Sequence, residues 1–301
     1  MVVGLGIALV LVVLVVAFAF WARGAQATPE ELARIDASLD AFLDRHREAI
    51  EATRWPVVRF TLEPMAQDDL LASKVGGTPW WPAGEARPVD AQGNPLALLA
   101  QVNLADVPDS GLDLPRAGLL QFLVATDWKF GQDYSRDETP AALAALRGHR
   151  VVYRSDASGP TQAFPAAAKK QLPLEVPGPL RMRFADAASE TMSPHDARFE
   201  SIFPGGLFPA LAAHGEPDGM DEDTLSDALW DRYESEAHKL GGYPYFTQDD
   251  PRARTDLELL FQLVSSDGLM WGDAGVGNFF ITDADLAARD FSRVYYSWDC
   301  C

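Results

Sequence analysis

Cysteine is nearly missing from this 301-residue chain; the only two, Cys300 and Cys301, are adjacent at its end. Neighbouring cysteines cannot staple distant segments, so a disulfide framework is excluded, and without a C-x-x-C pair so is a zinc knuckle. This usage fits a reducing compartment. Basic charge is also scarce: 25 Lys and Arg stand against 44 Asp and Glu, for a net charge of −19. Such a field repels phosphate backbones and anionic headgroups, so no nucleic-acid partner is expected. A basic protein partner is electrostatically suited, although acidity also simply keeps a protein soluble. The five histidines, His46, His149, His195, His214 and His238, form no H-E-x-x-H and no pair at metal-ligand spacing. No G-x-S-x-G elbow, Walker A loop or G-x-G-x-x-G occurs. The sequence therefore assigns no catalytic residue, no cofactor and no metal.

What is present is an ordinary globular composition, 48% hydrophobic and 23% charged, with 21 prolines and 23 glycines that require many turns. From Val2 to Ala22 there is no charged side chain. That length spans about 30 Å as a helix, the thickness of a bilayer core. Trp21 sits at its end and Arg23 follows. Ala25-Gln26-Ala27 resembles a signal cleavage site, but no Lys or Arg precedes the run and the run is long for a signal peptide. The expectation is an uncleaved single-pass anchor, residues 1–23, in the inner or plasma membrane. Arg23 and Arg34 follow it, which by the positive-inside rule leaves the domain in the cytoplasm.

Residues 28–54 read as a connecting helix within 24–56. Thr28 suits the N-cap, Pro29 the first position, and Glu30 and Glu31 the first turn. Leu32, Ile35, Leu39, Phe42 and Leu43 recur at three- and four-residue spacing. Pro56 is expected to end the helix. Strands are expected at 57–62, 96–104, 118–125, 151–153 and 180–185, with a loop or excursion at 155–179. Residues 204–227 read as a solvated loop. Within it Asp218, Asp221, Glu222 and Asp223 crowd together, but not at EF-hand spacing. Residues 225–240 read as a helix.

The chain also repeats itself. Lys74-Val75-Gly76-Gly77-Thr78-Pro79-Trp80 is echoed by Lys239-Leu240-Gly241-Gly242-Tyr243-Pro244-Tyr245. Leu98-Leu99-Ala100-Gln101 is echoed by Leu259-Leu260-Phe261-Gln262, and the run from Gly118 by the run from Gly275, in the same order. The expected fold is α+β: an internally duplicated β-sheet core with flanking helices, plus the N-terminal transmembrane helix. Within a globular domain at 57–301, repeat one covers about 57–155, the excursion 156–224 and repeat two 225–301. The Gly-Gly pair supplies positive φ and the Pro then fixes the chain. Lysine beside glycine amides can cradle an anion; the plainer reading is a tight turn that packs its aromatic on the sheet.

Ser73-Lys74-x-Gly76-Gly77-x-Pro79, Trp81-Pro82, Leu99-Ala100-Gln101-Val102-Asn103-Leu104 and Gly118-Leu119-Leu120-Gln121-Phe122 resemble the YwqG family, a bacterial domain of unknown function. So do His238-Lys239-Leu240-Gly241-Gly242-Tyr243-Pro244, Leu260-x-Gln262-Leu263, Trp271-Gly272-Asp273-Ala274-Gly275 and Asp285-Leu286. The resemblance covers roughly 57–298 and implies an α+β fold of repeated sheet subunits with no agreed activity. It also implies kinship with some proteins thought to neutralise secreted toxins. Candidate binding residues are Lys74, Gly76, Gly77, Trp81, Gln101, His238, Lys239, Gly241, Gly242, Gln262, Trp271 and Asp273. Two readings follow. One is a membrane-anchored binding module that engages a basic protein. The other is an enzyme or small-ligand receptor with a cleft between the repeats.

Overall fold

Thr28 caps the first helix with a reciprocal capping box: its hydroxyl accepts from Glu31 N, and the Glu31 carboxylate accepts from Thr28 N at 2.8 Å. This helix, α1, runs Pro29–Arg45, and a short α2 follows at Arg47–Glu51. The computed structural model describes residues 28–134, 137–162, 164, 172–233 and 236–300. The expected membrane span at 2–22 lies outside the described residues. Among those described, no helix is long and apolar enough to cross a membrane. The connecting helix breaks at His46 and ends before 54; Pro56 is already inside a strand.

The strands are β1 Trp55–Pro64, β2 Lys74–Val75, β3 Ala97–Asn103, β4 Leu119–Val124, β5 His149–Arg154, β6 Leu180–Phe184, β7 Ala188–Glu190, β8 Lys239–Gly241, β9 Leu257–Val264, β10 Val276–Thr282 and β11 Tyr295–Asp299. The remaining helices are α3 Pro140–Ala145, α4 Leu207–Asp218, α5 Glu222–Arg232 and α6 Asp283–Ala288. The stretch expected as a solvated loop at 204–227 is thus largely helical. One of its acids caps a helix: Asp221 Oδ1 accepts from Thr224 N at 2.8 Å, just ahead of α5. Among the described residues no group of acids, histidines and cysteines is placed to hold a metal.

The described chain divides into two compact units. In the smaller one, residues up to His46 join Phe208–Leu229. Here the apolar stripe of α1 buries Leu39 and Phe42, and the His214 ring of α4 meets Phe42 edge-on at 5.5 Å. His214 Nε2 also donates to the Ser38 carbonyl at 2.8 Å.

The larger unit, Arg47–Leu207 and Trp230–Cys301, holds the sheet. Its strands are all antiparallel and run β11-β10-β9-β8-β1-β6-β2-β3-β4-β5, with β7 alongside β1. Its interior is aromatic. Phe122 of β4 stacks on Phe261 of β9 at 4.4 Å, and Phe279 of β10 stacks on Tyr296 of β11 at 4.5 Å. The sheet curls until its two ends approach: His149 of β5 donates from Nε2 to the Val294 carbonyl at 2.8 Å, and its ring packs 5.3 Å from Tyr296. The result is a nearly closed antiparallel barrel flanked by short helices.

The order of pairing reads the same from either end. β8 lies between β1 and β9, and β2 lies between β6 and β3. Arg59 pairs with Lys239 as Arg181 pairs with Lys74. The register between β1 and β6 includes Thr61 opposite Arg183. A bulge skips Leu99 in the β3–β4 ladder and Leu260 in the β9–β10 ladder. β1, which opens the sheet, therefore sits with the second set of strands, and β6 sits with the first.

Candidate functional site

Lys74 and Lys239 are both completely buried, a position an ammonium occupies only when paired. Lys74 Nζ donates to Asp68 Oδ1, and also to the carbonyls of Asp69 (2.6 Å) and Thr78 (2.7 Å). Asp68 Oδ2 accepts from Thr78 N at 2.7 Å. In the second motif Lys239 Nζ donates to Glu190 Oε1 at 2.8 Å, and the same oxygen accepts from Tyr243 N at 2.7 Å. Each turn is thus locked by one carboxylate that bridges its lysine and the amide before its proline. Burial holds both ammonium groups below the ordinary lysine range, against the pull of their carboxylates.

The glycines make room for this lock. Gly76, Gly77, Gly241 and Gly242 all have φ between 67° and 76°. A Cβ on Gly77 would meet Asp68 Oδ1 at 2.9 Å, and one on Gly242 would meet Glu190 Oε1 at 2.1 Å. The turn amides are already occupied, Gly76 N by the Leu99 carbonyl at 2.7 Å and Gly242 N by the Pro56 carbonyl at 2.9 Å. The anion cradle expected of these turns is therefore filled by the protein's own acids.

The buried amides behave in parallel. Gln101 Oε1 accepts from Trp80 N and its Nε2 donates to the Ala72 carbonyl; Gln262 Oε1 accepts from Tyr245 N at 2.7 Å and its Nε2 donates to the Ala237 carbonyl. Gln121 Nε2 holds the Trp80 carbonyl as Asn278 Nδ2 holds that of Tyr245, at 2.7 and 2.8 Å. Ser73 Oγ accepts from Asn103 N, and His238 Nδ1, at the corresponding place, accepts from Val264 N at 3.2 Å. His238 then presents Nε2 to Ser266 Oγ at 3.2 Å and stacks on Phe60. Burial pushes its pKa down to about 4, so it is neutral at pH 7.

The two turns lie at opposite ends of β1. Gly242 abuts Pro56 and Val57 at the start of β1, whereas Gly77 abuts Pro179, whose carbonyl accepts from Met65 N beyond the end of β1. Roughly seven residues of strand, about 23 Å, separate those places. Trp81 is buried under the Arg154 guanidinium (4.3 Å) and donates to the Glu85 carbonyl. Trp271 is buried against Gly277, where a Cβ would come within 2.4 Å of its ring. Asp273 lies exposed on the turn after Trp271.

The open chemistry lies elsewhere, beyond the second turn. Tyr245, pinned by Gln262 and Asn278, leads into a loop at 246–253 that lines two adjoining cavities of 520 and 790 Å³; both include Phe246, Gln248 and Asp249. The smaller is walled by His195, Trp230, Tyr245 and Glu236. The His195 ring stands edge-on between Trp230 (4.6 Å) and Tyr245 (4.7 Å). Burial pushes its pKa down to about 4, so it adds no positive charge at pH 7. The larger cavity is lined by Asp133, Tyr134, Asp249, Asp250, Arg252, Ser297, Trp298 and Asp299. Among the described residues its one guanidinium, Arg252, is buried and committed to Asp250 and Asp196. Burial raises the Asp299 carboxyl above its ordinary range, partly offset by the bond it accepts from Gln248 N. Ser297 Oγ is buried without a hydrogen-bond partner among the described residues. At the rim, Lys129 stands over the Tyr134 ring at 5.0 Å, so that ring already holds one cation. The groove therefore combines aromatic faces with an excess of carboxylates, a surface that accepts cations. In the sequence Tyr245 stands out only as the aromatic of a motif; its neighbours come from separate segments with no spacing to read.

A family model described as "Domain of unknown function (DUF1963)" matches residues 73–300. No curated protein matches the chain.

Proposed function

The chain belongs to the DUF1963 family, and from that premise we propose that it is a binding module whose acidic, aromatic groove takes a cationic segment of a basic protein. The observation that carries this reading is the groove itself, where, among the described residues, Glu236, Asp133, Asp249, Asp250 and Asp299 stand against one already paired arginine and the rim lysine Lys129, among aromatic rings. Charge complementarity then gives attraction and orientation, and the Trp230, Tyr245 and Trp298 rings give cation–π contact. The net charge of −19 extends the attraction beyond the groove.

The matched hydrogen bonds around Lys74 and Lys239 support an internal duplication as the origin of the sheet. The apolar run at 2–22 supports a membrane anchor, and Arg23 and Arg34 after it support a domain on the cytoplasmic side. A module so placed suits interception of a basic protein, such as a toxin, at the membrane surface. Fusions of alkaline phosphatase and of a fluorescent protein after Cys301 test the orientation; phosphatase activity contradicts it.

The binding reading is tested by calorimetric titration of the full chain, held in neutral detergent, with a short lysine- and arginine-rich peptide. Saturable binding that weakens as salt rises is expected. Asp249→Asn combined with Glu236→Gln weakens it roughly tenfold, about 1.4 kcal/mol. Equal binding of an uncharged peptide, or no effect of the substitutions, rejects the reading.

A further inference from the structure

Another cavity of the larger unit has the opposite polarity. It measures 260 Å³ and is lined by Arg54, Arg59, Glu190, Thr191, Ser193, Arg232 and Tyr233. Three guanidinium groups converge here in a chain whose net charge is −19. Among the described residues one lining group is a carboxylate, Glu190, and it is already held by Lys239 and Arg59. Arg54 is held by Glu51 at 2.6 Å and also reaches the Ser189 carbonyl and hydroxyl.

Two further features give the cavity a direction. Ser193 is 3% exposed, lines the cavity, and its Oγ has no hydrogen-bond partner among the described residues. A buried hydroxyl left unpaired costs free energy unless a ligand or water satisfies it. Arg59 commits a single nitrogen, Nη2, to Glu190 and remains about two-fifths exposed. Its planar fork matches an oxyanion, as a lysine would not. The volume lies below that of cavities for drug-sized ligands and suits a compact anion.

We propose that this cavity is a binding site for a phosphate monoester, with Arg59 and Arg232 on the phosphate oxygens and Ser193 Oγ donating to one of them. The same dianionic group occurs on soluble phosphorylated metabolites and on lipid headgroups. The carboxylate that locks the second glycine turn also forms one wall of this cavity. An anion bound here is thereby coupled to the turn that sets Tyr245.

The test uses the full chain in neutral detergent and titrates inorganic phosphate at constant ionic strength, with sodium chloride as reference. A second arm uses mixed micelles carrying phosphatidic acid. The proposal predicts saturable binding in at least one arm. Binding of free phosphate points to a soluble ligand, and binding confined to micelles points to a headgroup. Arg59→Gln and Arg232→Gln each reduce affinity tenfold or more, and Ser193→Ala, which removes a single oxygen, reduces it several-fold while the melting temperature without phosphate is kept. No saturable binding in either arm, or binding that survives all three substitutions, overturns the proposal.

Discussion

At the scale of single residues, the lysines of the two glycine motifs are structural charges. Lys239 is fully buried and the side chain of its partner Glu190 is 13% exposed. Glu190 keeps Arg59 when Lys239 is lost, whereas Glu190→Gln strands a buried ammonium, so Glu190→Gln is expected to cost about 3–5 kcal/mol in urea unfolding and Lys239→Met less. The double substitution should cost clearly less than the sum; strict additivity would show that the pair is not coupled. Gly242 makes the matching steric prediction. With φ at +71° and Glu190 Oε1 2.1 Å from where a methyl carbon would sit, Gly242→Ala strains the backbone and displaces the lock. Gly84→Ala, also at positive φ but with open space around it, meets only the backbone cost of about 1–2 kcal/mol. Equal melting temperatures for the two variants would contradict the lock.

Among the elements, the closure of the sheet rests on β5 meeting the segment before β11 through His149 and Val294. Histidine in an unfolded chain titrates near 6.5. Burial pushes His149 down to about 4, and His238 likewise. Between those values the unfolded chain binds the extra protons. The stabilisation is therefore complete above pH 6.5 and is lost as pH falls through about 4. Urea midpoints should drop across that window. His149→Gln, which keeps an N–H for Val294, should make the drop shallower; an unchanged slope would remove His149 from this role. The strands are legible in the sequence because they are local: short apolar runs bounded by glycine and proline, with the glutamines marking matched positions. The acids of the locks are not. Asp68 lies six residues before Lys74, whereas Glu190 reaches Lys239 from β7, so no shared spacing betrays them. Helix α4 escapes a sequence reading because its glycine and prolines weigh against helix propensity, while buried Leu211 and His214 decide the outcome.

For the whole molecule, the net charge is legible at once, but not its sorting into an acidic groove and a cluster of arginines. The groove draws on His195, the 246–253 loop, the segment before residue 135 and β11, which only the folded sheet brings together. The central claim is that this groove binds cationic protein segments. Hydrogen–deuterium exchange of the full chain with and without a lysine- and arginine-rich peptide tests it most directly. Slowed exchange in the segments that line the groove, above all the 246–253 loop and β11 with the residue after it, is the predicted result. Unchanged exchange there, with protection elsewhere, would contradict the account.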